Sequence, residues 1–166
     1  LVLELHREFH MTTVLVTHDR EEALSMSHRV AVMFGGKVLQ CGTPEEVYHR
    51  PAARRVADYF GDCQYIAGTV MQNTFTAGSL SCAAELPDGE YDLMLRSAAI
   101  ITDRPGVLEL FVKEIQFRGA DTLVTLESAE GKCWKKPFRE RPQWCVGERV
   151  FCAVDFDACV FFRRDC

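Results

Sequence analysis

The sequence predicts two architectures in series: an α/β segment over residues 1–61, followed by a mostly β domain over residues 62–166. Two observations carry this. Up to residue 60, short β-branched runs alternate with well-signalled helix starts. Beyond Gly61 the chain breaks into short β-branched and aromatic runs punctuated by Gly, Asp, Asn and Pro. The composition, 48% hydrophobic and 26% charged over 166 residues, suits a folded globular chain of a size that accommodates one domain or two small ones.

In the first segment, Leu3, Leu5 and Phe9 mark the end of an amphipathic helix. The chain opens Leu1-Val2-Leu3-Glu4-Leu5, with no initiating Met and no signal-peptide pattern, and reads as a cut inside that helix. Residues 12–17, Thr-Thr-Val-Leu-Val-Thr, suit a buried parallel strand. A helix starts after His18, with Asp19 as N-cap and Glu22 three places on. Residues 29–34 and 37–41 flank Gly35 and Gly36, a hairpin signal. Thr43, Pro44 and Glu46 have the spacing of a capping box with Pro at the first helical position. A last helix over 52–60 ends at Gly61.

In the second segment, strands are expected at 65–71, 91–95, 108–117, 122–126, 149–156 and 159–162, with turns at Asp88-Gly89 and Glu130-Gly131. Short strands in that number point to a small barrel or sandwich such as an OB-like fold. The net charge of −5 divides into about −1 and −4 across Gly61, so neither part offers the basic field that a nucleic-acid backbone requires. No apolar run approaches the roughly 20 residues needed to span a bilayer.

Cys145, Cys152, Cys159 and Cys166 recur every seven residues. No CxxC pair accompanies them, and in strands an odd spacing puts neighbours on opposite faces. The reading is scattered thiols and no metal ligands, with a cysteine metal site as the competing reading.

The ordered series Val14-Leu15-Val16-Thr17-His18-Asp19-Arg20-Glu21-Glu22, then His28-Arg29-Val30-Ala31-Val32-Met33, then Gly36-Lys37-Val38 through Gly42-Thr43-Pro44-Glu45-Glu46-Val47-Tyr48, resembles the end of the nucleotide-binding domain of ABC importer ATPases. The likeness is to the sugar, ferric-iron and polyamine group, and Arg50-Pro51 and residues 56–61 continue it. Residues 62–166 resemble the TOBE (transport-associated OB-type) domain of the same subunits. The resemblance rests there on Ala67-Gly68-Thr69-Val70, residues 93–96, residues 112–121 and Val146-Gly147-Glu148. Two positions depart from the pattern. Arg96-Ser97-Ala98 stands where relatives carry Arg-Pro-Glu, and His28 where they carry an acidic residue.

The resemblance implies that residues 1–61 are the carboxy-terminal part of a P-loop NTPase domain and that His18 is the switch histidine of its H-loop. It implies ATP and Mg in an intact parent, a second ATPase subunit in a homodimer, membrane permease partners, and a place at the cytoplasmic face of the cell membrane. The physical sense of His18 is that strand ends in open α/β sheets border ligands, and a neutral imidazole both donates and accepts a hydrogen bond. A structural strand-end histidine is the plain alternative.

No Walker A, signature or Walker B sequence is present, since Gly36-Lys37 is followed by Val38 and has Ala31 five places earlier. The chain alone is therefore expected to be inactive and to bind no cofactor. The competing functional reading is a standalone OB-like regulatory, small-ligand-binding or dimerisation module. Trp134, Lys135, Lys136, Arg139, Arg141 and Trp144 form a basic and aromatic stretch, either a solvated loop with two partly buried indoles or a landing place for an anion or a partner.

Overall fold

The computed structural model describes residues 12–164. The expected helix around Leu3 to Phe9 lies outside them. The chain divides into two compact units between Phe60 and Gly61.

The first unit contains α1 (Arg20–Met26), β1 (Val30–Phe34), β2 (Lys37–Gly42), α2 (Pro44–His49) and α3 (Arg54–Phe60). The hairpin forms as its turn residues dictate: Gly35 and Gly36 take φ of 54° and 75°, the paired positive values of a tight two-residue turn. Phe34 then faces Lys37, and the register slips once between Val32 and Met33.

At the start of α2 the capping box closes in both directions. Glu46 N donates to Thr43 Oγ1 at 3.2 Å, and Thr43 N donates to Glu46 Oε2 at 2.9 Å. Gln40 stitches β2 to the α2–α3 link, its amide donating to the Arg50 carbonyl and accepting from Ala52 N. Val30, Val32, Val47, Val56 and Phe60 make the core between hairpin and helices.

Residues 12–17 do not form the expected strand, and Val14 and Val16 are 86% and 92% exposed. The physical reason is the lack of a neighbour. Among the described residues of this unit the only ladder is antiparallel, with β1 and β2 paired to each other, and a β-branched run gains little from extension without a flanking strand.

The second unit is mostly β, with a sheet that curls into a half-barrel. One five-stranded sheet has the order β12-β6-β3-β4-β5 and contains β3 (Cys63–Met71), β4 (Thr74–Ala77), β5 (Leu80–Ala83), β6 (Gly89–Arg96) and β12 (Val160–Arg163). The other has the order β10-β9-β8-β11-β7, from β7 (Ile100–Ile101), β8 (Leu108–Phe117), β9 (Thr122–Glu127), β10 (Cys133–Phe138) and β11 (Arg149–Val154). Every pairing is antiparallel.

All six expected strands are present, Leu108–Phe117 with the expected ends and the other five with shifted ends. The run expected over 149–156 stops at Val154, where a short 3-10 turn, Phe156–Ala158, redirects the chain into β12. The turn at Glu130-Gly131 joins β9 to β10, and Gly89 instead begins β6. Four strands escape the sequence reading: β4, β5, β7 and β10. β10 carries Lys135, Lys136 and Pro137, an unpromising strand composition that fits here because β10 is a sheet edge, where lysine and proline are tolerated.

Leu95, Ile100, Leu110, Val124, Leu126 and Trp134 form the main core, drawn from both sheets. A second cluster surrounds Phe75 and Leu93. Gly106 lets the loop before β8 lie against β11: an added Cβ would sit 2.2 Å from the Cys152 carbonyl oxygen and 2.3 Å from Ala153 Cα. Backbone on both sides prevents easy relief. Gly106→Ala is expected to destabilise the second unit by about 1–3 kcal/mol, measured by urea unfolding followed through tryptophan fluorescence.

Candidate functional site

His18 occupies a bend between the extended residues 12–17 and α1, and it is exposed. Its two neighbours are fixed by their own side chains. Thr17 Oγ1 accepts from Asp19 N at 2.9 Å and donates to Glu22 Oε2 at 2.8 Å, while Asp19 Oδ1 accepts from Glu21 N and Glu22 N at 2.8 and 3.0 Å. The imidazole therefore leaves a braced turn and points its chemistry to solvent, able to donate from one nitrogen and accept at the other.

α1 itself has no buried residue. It is held by the half-buried Ala23 and Leu24 and by the Arg20 guanidinium, which lies 5.5 Å from the centre of the Tyr59 ring. At an exposed site such a cation–π contact contributes about 0.5–1 kcal/mol.

The start of α1 offers no phosphate cradle of its own. Asp19 already occupies its first amides, and Glu21 and Glu22 add negative charge to the first turn. Among the described residues, the first turn of α1 beside His18 is thus acidic.

The basic and aromatic stretch comes apart in three dimensions. Trp134 is buried, its indole N–H donating to the Leu95 carbonyl at 2.9 Å. Lys136 turns back to donate to the Ser97 carbonyl at 3.2 Å, and burial pushes its ammonium pKa down. Lys135, Arg139 and Arg141 are exposed. Trp144 meets Phe138 edge-on at 5.5 Å and borders a cleft of about 290 Å³ with Asp103, Arg104 and Phe151. The stretch is thus partly core and partly surface.

The loop at Arg96-Ser97-Ala98 has an internal role that the sequence did not signal. Arg96 is buried and donates to the Gly61 carbonyl, and Ser97 Oγ donates to Asp62 Oδ2 at 2.9 Å. His28 is exposed.

The cysteines at seven-residue spacing share no face. Cys145 is exposed in a loop, Cys152 is buried in β11, Cys159 precedes β12 in the other sheet, and Cys166 lies outside the described residues. Among the described residues no three His, Cys, Asp or Glu side chains group as metal ligands, and no helix is long and apolar enough to cross a membrane.

No protein-family model matches the chain. Among individual proteins, an sn-glycerol-3-phosphate import ATP-binding protein, UgpC 1 of Rhizobium johnstonii, is 31% identical over an alignment covering 99% of this chain. The chain is a homologue of the ATP-binding subunits of ABC importers. A sulfate/thiosulfate import ATP-binding protein of Chromobacterium violaceum is 38% identical over 74% of the chain, and a spermidine/putrescine import ATP-binding protein of a Nostoc species is 52% identical over 40%. The chain spans 48%, 36% and 17% of these three ABC importer subunits.

Three thiols of this ABC importer homologue are held neutral. Burial raises the pKa of Cys82 and Cys152, and burial together with Asp155 and Cys82 pushes Cys159 up to about 12. A raised thiol pKa favours the fold below the ordinary thiol range, and that stability is lost as pH climbs toward the folded value. Lys136, with its lowered pKa, acts in the opposite sense over the same range. The comparison with Cys159→Ser therefore isolates the thiol: between about pH 8 and pH 11, wild type is expected to lose thermal stability more steeply than the variant.

Proposed function

We propose that this chain is the carboxy-terminal part of an ABC importer ATPase subunit that couples ATP hydrolysis to solute uptake. The first unit is the end of the nucleotide-binding P-loop NTPase domain, and the second is its TOBE-type, OB-like accessory domain. The observation that carries this reading is the match to UgpC 1 over 99% of the chain. A freestanding OB-like module would align over the second unit alone.

In the longer protein, ATP with Mg would be held by residues upstream of His18, at the face of a membrane permease and beside a second ATPase subunit. His18 serves as the switch histidine. A braced, exposed imidazole that both donates and accepts can join a terminal phosphate to the attacking water. Support for the role comes from the chain's likeness to ATP-binding subunits and from the free presentation of the ring.

Two outcomes are expected. The chain alone shows no ATP turnover above background and no measurable ATP affinity, since it carries no phosphate loop; hydrolysis in a preparation free of contaminating ATPases would overturn this. In the full-length subunit, His18→Ala lowers hydrolysis on the order of 100- to 1,000-fold while nucleotide binding stays nearly unchanged. His18→Gln, which keeps hydrogen-bonding groups, and matched thermal unfolding separate this loss from misfolding. A stably folded Ala variant with a near wild-type rate would make His18 a structural residue.

A further inference from the structure

Three side chains meet on the surface of the second unit in an arrangement that the ATPase reading does not use. Cys133 opens β10 and faces Glu127 of β9 in register. Its Sγ donates to Glu127 Oε1 at 3.4 Å. Lys113 Nζ lies 2.5 Å from the same carboxylate oxygen and 3.6 Å from the sulfur.

This meeting depends on an irregularity. On β8, Phe111 and Val112 pair with Glu127 and Leu126, but the next pair is Glu114 with Thr125, so Lys113 is the extra residue of a β-bulge. Bulges re-aim side chains, and this one directs Lys113 to the pair formed by its neighbours. Gln64 fixes the other side by donating to the Cys133 carbonyl at 3.1 Å.

We propose that Cys133 is a peroxide-reactive thiol, with Glu127 as its proton acceptor and Lys113 as the cation that stabilises charge on sulfur. As sulfur attacks one oxygen of hydrogen peroxide, an S–O bond forms and the O–O bond breaks. The thiol proton passes to Glu127 and then to the departing hydroxide, which leaves as water. Sulfur is oxidised by two electrons to a sulfenic acid, and the peroxide is reduced by two.

The charges suit these roles at neutral pH. Hydrogen bonding to Lys113 and then to Cys133 holds the Glu127 carboxyl below the usual range, so it is ionised and carries the thiol proton only in passing to the departing hydroxide, and the Glu127 contact keeps Lys113 an ammonium.

The other thiols supply internal controls. Cys152 is buried, and Cys82 and Cys159 are held protonated by burial. Cys41 is exposed with Arg29 Nη2 at 3.6 Å, which supplies a cation, but no carboxylate hydrogen bond to it is found among the described residues. Cys145 is exposed.

The test treats the chain with hydrogen peroxide, traps sulfenic acid with a cyclic 1,3-dione, and follows each cysteine by peptide mass spectrometry. Cys133 is expected to label first. Lys113→Met and Glu127→Gln are each expected to slow it about ten-fold, less than the roughly 100-fold or more that a positioned proton acceptor contributes in an enclosed site, because this site is partly exposed. Lys113→Arg keeps the cation and is expected to keep the rate. Exposed ion pairs add little stability, so these variants fold, and matched thermal unfolding checks that they do. Labelling of Cys41 or Cys145 as fast as Cys133 would overturn the proposal, as would unchanged Cys133 rates in folded Met and Gln variants.

Discussion

Trp134 is the contact on which the second unit depends. It belongs to β10, at the edge of one sheet, yet its indole nitrogen donates to the carbonyl of Leu95 on β6 in the other. A buried indole N–H without an acceptor costs on the order of 1–3 kcal/mol. This bond removes that cost and at the same time sets the distance between the sheets. Leu95, Ile100, Leu110, Val124 and Leu126 pack around the ring. Lys136, two residues along β10, extends the same bridge by donating to Ser97 just past the end of β6. An edge strand with little sheet-forming character is thus held by what its side chains reach beyond its own ladder.

The first unit solves a different problem. Its helices are short, and short helices are marginal without caps and packing. Each device is therefore local: the Thr43–Glu46 box, the Asp19 cap, the Gln40 stitch and the two-glycine turn. Together they build a small core around Val47 and Val56 and leave His18 outside it, on a turn tied down by Thr17 and Asp19. The role we propose for His18 calls for this combination of fixed backbone and exposed ring. It also accounts for the exposed Val14 and Val16: the stretch leading to His18 has the side chains of a buried strand without, among the described residues, a strand beside it.

Much of this was legible in sequence because it is written over a few residues. Gly35 with Gly36 and Thr43 with Glu46 are interactions within one turn of chain, and the alternation in 108–112 reports a half-buried face whichever strand lies alongside. Family likeness was legible for the same reason, as an ordered series of short motifs around His18. Illegible were the features that depend on residues far apart. β10 reads as a basic loop until the sheet edge it occupies is known. Trp134 and Trp144 look alike in sequence, yet one is core and the other borders a surface cleft.

The sequence by itself determined most of the turns, the caps, most of the strands and the kinship with importer ATPase subunits, since each rests on covalent neighbours and backbone preferences. Tertiary structure decided which strand lies beside which, whether the run at 12–17 finds a ladder, and which of the regularly spaced cysteines is buried. It also decided that a bulge at Lys113 would bring an ammonium, a carboxylate and the thiol of Cys133 within hydrogen-bonding range. The reason is the same in each case: strand pairing and burial are settled between residues that sequence separates by tens of positions, and no local pattern records the partner.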